Sequence, residues 1–151
     1  VLVKRIGHLD VNLRLVDDID EGTVMVDNVY YTLDDELMSA TATRRNSKGN
    51  SYSGIVTIPD EISYDGRRYS VSSIGERAFE DCISLDSVFI GANVRDIQFG
   101  AFGSSSVRAL GFESGSNLTT IGGWAFNGCS DLEELILPEG TLYLQMAAFH
   151  G

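Results

Sequence analysis

The sequence predicts a β-rich α/β solenoid: stacked short coils, each giving one strand to a parallel sheet and returning through a short helical turn, behind an antiparallel N-terminal cap. Three observations predict it. One phrase occurs four times, as Ile74-Gly75-Glu76-Arg77-Ala78-Phe79, Ile97-Gln98-Phe99-Gly100-Ala101-Phe102, Ile121-Gly122-Gly123-Trp124-Ala125-Phe126 and Leu144-Gln145-Met146-Ala147-Ala148-Phe149. Its phenylalanines fall at 79, 102, 126 and 149, steps of 23, 24 and 23 residues, and a fixed period in that range marks stacked repeats. A second phrase, spaced L-x-x-L-x-L, follows three of the copies: Leu85, Val88, Ile90; Val107, Leu110, Phe112; Leu132, Leu135, Leu137. Its fourth and sixth places alternate as a half-buried strand does. From Val1 to about Arg45 this period is absent and two-residue alternation replaces it.

In that first stretch Val11, Leu13 and Leu15 alternate with polar residues, as do Val24 and Val26, then Val29, Tyr31 and Leu33, and each run reads as a strand. The acidic breaks Asp17-Asp18-Ile19-Asp20-Glu21-Gly22 and Asp34-Asp35-Glu36 read as turns. A solenoid left open at its first coil exposes a slice of core, so residues 1–50 are read as its antiparallel cover. Asp18-x-Asp20-x-Gly22 echoes a calcium loop but lacks the third ligand and the closing glutamate; it reads as a solvated turn. Asn46-Ser47-Lys48-Gly49-Asn50-Ser51 is a polar loop.

Residues 51–151 form the solenoid. Ile55-Val56-Thr57-Ile58-Pro59 matches Leu135-Ile136-Leu137-Pro138, with Val56 and Ile58 on Leu135 and Leu137, and supplies the strand of an extra coil. Ile58 lies 16 residues before Ile74, whereas Ile90 lies 7 before Ile97. The surplus, residues 61–71, is read as a hairpin insertion beside the cap, because Asp65-Gly66 sits between two alternating runs and favours the positive φ angles of a tight turn. At the far end the copy that begins at Leu144 stops at Gly151, so the last repeat is incomplete.

Cys82 and Cys129 each follow an Ala-Phe pair by three residues, with Ser105 at the same place between them. Two coils set them roughly 9.6 Å apart, beyond the roughly 7 Å that the Cα atoms of a disulfide span. Two free, buried thiols are expected.

The chain of 151 residues carries 11 Lys+Arg against 22 Asp+Glu, a net charge of −11. That balance argues against nucleic acid or anionic lipid as partner, since phosphate calls for a basic face. No apolar run reaches the roughly 18 residues of a membrane span. The chain opens on Val1 rather than Met, which leaves room for a removed leader or a preceding domain. The two histidines, His8 and His150, stand at opposite ends, a poor start for a Ser-His-Asp or Cys-His arrangement. Gly122-Gly123 lacks the lysine and long helix of a phosphate loop. Asn117-Leu118-Thr119 is a glycosylation sequon only where a secretory pathway reads it.

Ile58-Pro59, Tyr64-Asp65-Gly66-Arg67-Arg68-Tyr69-Ser70-Val71-Ser72-Ser73-Ile74-Gly75, then Ala78-Phe79, Cys82 and Leu85, resemble the BspA-like leucine-rich repeats of bacterial surface proteins. The likeness runs from about Val24 to Gly151. It departs from the pattern at Ser105, where the repeat has cysteine, and at Gly91 and Glu113, where it has the strand proline. Residues 1–23 have no counterpart. The resemblance implies a leucine-rich-repeat solenoid in an extracellular, surface-attached protein that holds host or neighbouring-cell macromolecules, with neither catalysis nor cofactor.

Stacking the coils places Thr57, Phe89, Gly111 and Ile136 in one outward column, with Phe89 and Ile136 as an apolar strip and Gly111 as a dip between them. The column Asp86, Arg108, Glu133 alternates in sign. On the opposite turn Phe99, Gly123 and Met146 stack, with Trp124 beside them. Phe89, Ile136, Phe99, Trp124 and Met146 are the candidate binding residues of an adhesin module. In a structural spacer, the alternative, they would pack on a copy of the chain, and self-association through the C-terminal end is expected from the uncapped Leu142, Leu144, Met146 and Phe149.

Overall fold

The computed structural model describes residues 19–46 and 52–151. The strand expected at Val11, Leu13 and Leu15 and the loop residues 47–51 lie outside this range.

The cap starts as a three-stranded antiparallel meander, β1 (Thr23–Val26), β2 (Val29–Asp34) and β3 (Ser39–Thr43). Asp27 (φ 49°) and Asn28 (φ 65°) form the first connection, a pair whose short polar side chains tolerate the left-handed region that a two-residue hairpin requires. Alanine alternating with threonine is too weakly apolar to have signalled β3, yet Ala40 and Ala42 are fully buried. β4 (Ser53–Ile58) opens the first coil, and the expected hairpin follows as β5 (Glu61–Tyr64) and β6 (Arg67–Ile74), with Asp65 (φ 49°) and Gly66 (φ 76°) at its tip. It sits against the cap: β3 runs parallel to β6, and the Tyr69 hydroxyl donates to Asp35 at 2.6 Å.

Beyond the hairpin, β7 (Ser84–Ile90) and β9 (Ala109–Phe112) extend β4 into a three-stranded parallel sheet. The Ile-Gly phrases make a second ladder on the other side of each coil, through the two-residue strands β8 (Asp96–Ile97), β10 (Thr120–Ile121) and β11 (Tyr143–Leu144). Between the two sheets lies the core, with Val56, Val88, Ile90 and Leu110 from one and Val71, Ile74, Ile97 and Ile121 from the other. The phrase Leu132–Leu137, expected as a fourth strand, makes only the bridge Ala109↔Glu134. Its leucines are half-buried, because among the described residues no further coil packs on them.

The Ala-Phe turns are not helical, contrary to expectation, and no helix occurs among the described residues. Two positions in each turn adopt positive φ, which interrupts an α-helix at once. The first is Arg77, Gly100, Trp124 or Ala147, two before the phenylalanine; the second is Asp81, Ser104, Gly128 or Gly151, two after it. Alternation of hand turns every second N–H toward the next coil. Thus Arg77, Phe79 and Asp81 donate to the carbonyls of Phe99, Ala101 and Gly103 at 3.0, 2.7 and 2.9 Å. Helical residues would keep those bonds within the coil; here they hold coil to coil.

Each turn aims its phenylalanine inward. Phe79, Phe102, Phe126 and Phe149 stack nearly parallel, with ring centroids 5.0, 5.2 and 5.3 Å apart. Tyr52 extends the ladder into the first coil, 4.6 Å from Phe79, and its hydroxyl accepts from the Tyr30 N–H and donates to the Thr43 carbonyl. One buried hydroxyl thereby ties β2, β3 and the solenoid together.

Candidate functional site

The outer face of the three-stranded sheet carries the first patch. Register sets Thr57 beside Phe89 and Phe89 beside Gly111, and the Ala109↔Glu134 bridge continues the row to Ile136. Phe89 is 54% exposed and Ile136 71%. The expected dip at Gly111 is filled. A Cβ on Gly111 would fall 2.7 Å from two atoms of the Phe89 ring, so one edge of the ring occupies the space over the glycine. Only a residue without a side chain permits this, and it leaves Phe89 and Ile136 as exposed apolar residues of one row. Past the strip, where the fourth coil leaves the third, a groove of about 600 Å³ opens between Gly111, Phe112, Ile136 and Pro138, with Glu113 and Glu139 on its walls.

In the charged column beside it, the Arg108 guanidinium lies 3.9 Å from Glu133, and both are well exposed. A surface pair of this kind contributes about 0–1 kcal/mol. It orders the rim more than it stabilises the fold.

The second patch is on the turn side. A Cβ on Gly123 would meet the Phe99 ring at 3.7 Å and the Met146 carbonyl at 3.1 Å, so the column Phe99, Gly123, Met146 forms as expected. Phe99, Trp124 and Met146 are all exposed. The Arg77 guanidinium stands 5.7 Å from the centroid of the Phe99 ring, within cation–π range, and Trp124 leans on His150 at 5.4 Å. Sequence reading missed the two glutamines that position this patch: Gln98 accepts from the Glu76 N–H at 3.1 Å and Gln145 from the Gly123 N–H at 3.2 Å. Their recurrence one place after the isoleucine or leucine of two copies was the available signal.

Neither cysteine is bridged. Cys82 is fully buried; Cys129, expected to be so too, is only partly covered and donates to the Phe102 carbonyl at 2.9 Å, with Ser105 beside it at 3.7 Å. Burial pushes the Cys82 thiol up to about 11, and burial also raises Cys129. A neutral thiol is a poor nucleophile. A thiol reagent should therefore count two groups after denaturation without reductant and react far more slowly before it; a count of zero would overturn the coil register. The same burial sets a pH dependence. Between the ordinary value of 9.0 and about 11 the folded chain keeps a proton that the unfolded chain releases, so stability is intact below about pH 9 and falls as pH rises through that window. Tyr52 and Tyr31, both raised by burial, extend the fall upward. A midpoint unchanged from pH 8 to 11 in denaturant titration would contradict the burial.

The Asn117 side chain, first residue of the sequon, donates to the Ala92 carbonyl at 2.9 Å and joins two coils. Among the described residues no three His, Cys, Asp or Glu side chains gather in a metal-binding cluster, and no helix is long and apolar enough to cross a membrane.

A stack of coils joined by backbone hydrogen bonds, with two apolar patches on its surface, defines a repeat protein. Residues 60–151 match the BspA type leucine rich repeat region in six copies, and the chain belongs to that family. Solved structures agree. A leucine rich cell surface protein from Faecalibacterium prausnitzii A2-165 is similar at 28% identity and a TM-score of 0.68, covering 85% of this chain and 34% of its own. A leucine-rich repeat protein from Bacteroides ovatus ATCC 8483 gives 26% and 0.72, covering 85% and 33%. For a leucine-rich repeat protein of T. pallidum the values are 25% and 0.63, over 81% and 53%. The chain thus spans about a third of the length of the first two. A comparison with curated proteins finds no match.

Proposed function

We propose that this chain is a non-enzymatic binding module of a bacterial cell surface, acting outside the cell as an adhesin that grips a protein through the outer face of its three-stranded sheet. The observation that carries this is the Phe89 ring laid over Gly111 beside Ile136. An aromatic ring held in place gives contact area at low entropic cost, which is what the anchor of an interface needs. The groove past Ile136, walled by Glu113 and Glu139, suits a partner whose apolar anchor is flanked by basic residues. The family and the surface protein of F. prausnitzii support the setting.

Immobilised extracellular-matrix and plasma proteins are the probe. Phe89→Ser and Ile136→Ser should each weaken capture about tenfold or more, the effect of losing an interface anchor, while Met146→Ser on the turn side should not. Capture indifferent to both sheet-face changes would sink this reading.

A structural spacer is the second reading, favoured by one observation: Leu142, Leu144, Met146 and Phe149 are exposed together at the last coil. Self-association through that end predicts a dimer by sedimentation that charges at Leu142 and Met146 dissociate. A monomer indifferent to those charges would exclude it.

A further inference from the structure

Four arginines each face a carboxylate: Arg67 lies 3.4 Å from Asp35, Arg68 2.6 Å from Glu61, Arg77 3.7 Å from Glu80 and Arg108 3.9 Å from Glu133. The Arg95 side chain meets none among the described residues, although the chain carries 22 acidic residues against 11 basic ones. It lines instead a hollow of about 370 Å³ with no carboxylate in its wall, a size at the lower end of small-molecule sites. The fold builds this hollow on the sheet that β3 and β6 share. Ser39 and Ser70 are register partners there, and because Ala40 and Val71 beside them turn into the core, their hydroxyls turn outward. The register shift after Ala40 makes Ser72 the extra residue of a bulge, and the Arg95 N–H donates to the Ser72 carbonyl at 2.8 Å, which sets Arg95 beside it on the next coil. None of the three serine hydroxyls has a hydrogen-bond partner among the described residues. Asn93 and Asn117 flank the arginine. Their amide nitrogens donate to the Asp60 and Ala92 carbonyls at 3.2 and 2.9 Å, so both side chains are held while their oxygens stay open to a further donor. Leu37, 75% exposed, gives the hollow its apolar wall. Its turn is pinned, since Asp34 accepts from the Leu37 N–H at 2.9 Å and the Ser70 N–H donates to the Met38 carbonyl at 3.0 Å. The carboxylates beside the hollow are already engaged, Asp60 by the Asn93 N–H and Glu61 by Arg68.

We propose that this hollow binds an acidic sugar, with the sugar carboxylate on the Arg95 guanidinium and the ring hydroxyls on Ser39, Ser70, Ser72 and the two asparagines. A planar guanidinium meets a carboxylate through two parallel N–H···O bonds. Serine hydroxyls both give and accept hydrogen bonds and amide oxygens accept them, which matches the hydroxyls of a sugar ring, and Leu37 offers contact to the ring's C–H face. One unpaired cation calls for one negative charge. The net charge of −11 disfavours a polyanion in the same place. The hollow lies on the other sheet from Phe89 and Ile136, so the proposal does not depend on what those residues bind.

Titration of the full chain with sodium glucuronate and with N-acetylneuraminate, followed by amide chemical shifts, tests it. Saturable shifts at Ser72, Arg95 and Asn117 are expected with at least one of the two. Glucose and acetate, each carrying half of the recognised chemistry, should bind about tenfold more weakly or worse. Arg95→Met should weaken the sugar acid about tenfold or more, the loss of a charge-assisted pair, and Arg95→Lys should restore it only in part, because an ammonium cannot pair in the same two-pronged way. Arg95 is exposed and its side chain makes no bond within the described chain, so both variants keep the fold. Silence from both sugar acids would overturn the proposal. So would glucose bound as tightly as the acids, which would leave Arg95 without a role, or acetate bound as tightly, which would reduce the site to an ion contact. Shifts that survive Arg95→Met would overturn it as well.

Discussion

Phe102→Ala should lower stability by about 3–5 kcal/mol, the cost of emptying a buried aromatic site. Phe102 has no exposed surface, and its ring stacks on Phe79 at 5.0 Å and on Phe126 at 5.2 Å. The frame around it cannot collapse into the hole. Backbone bonds from Phe79 to Ala101 and from Phe102 to Ala125, at 2.7 and 2.8 Å, fix the spacing of the coils whether or not the ring is present. Phe149→Ala should cost less than half as much, since that ring is 44% exposed and stacks on Phe126 alone. Denaturant unfolding of both variants measures the difference. Equal losses would mean that the last coil is covered as the middle ones are, and the linear stack would be wrong.

Gly122→Ala should also be damaging, at about 1–3 kcal/mol. Its φ is ordinary, so the demand is for space rather than conformation. An added Cβ would lie 2.7 Å from both the Gln98 carbonyl carbon and the Phe99 nitrogen. Those atoms are backbone of the preceding coil and part of its ladder, so relief requires the coils to separate. Gly140→Ala is the control: its nearest neighbour would be the Leu118 carbonyl oxygen at 3.9 Å, an ordinary contact, and stability should change by no more than about 0.5 kcal/mol. If the two alanines proved equivalent in thermal unfolding, Gly122 would not be a point of close approach between coils. The same change should also tilt Phe99, whose backbone meets the clash, and so disturb the turn-side patch while leaving Phe89 in place.

Rigidity links these effects to function. Strand pairing, the Ile-Gly ladder and the left-handed turns each bond one coil to the next, so a side chain on the surface inherits its position from three sets of backbone bonds. A surface held this way loses little freedom on binding, which favours affinity at modest area.

The sequence by itself determined the repeat and its period, the inward phenylalanines, the hairpin at Asp65-Gly66, the unlinked cysteines and the column Thr57, Phe89, Gly111, Ile136. All of these follow from spacing along the chain, and in a stacked fold spacing along the chain becomes position in space. Only the tertiary structure decided what depends on contact between coils. The turns are left-handed rather than helical because their N–H groups bond across to the next coil, and no local propensity of Arg77 or Trp124 would have indicated that. Leu132–Leu137 makes a single bridge to the coil before it rather than a full strand, which its spacing along the chain does not reveal. Phe89 covers Gly111 because a ring and an empty position met across two strands 22 residues apart. Tyr52 joins the ladder although it stands outside the repeated phrase, for its place is set by the hydroxyl bonds to Tyr30 and Thr43. Periodicity fixes where a residue stands in its own coil; which atoms fill the space beside it is settled by the neighbouring coil.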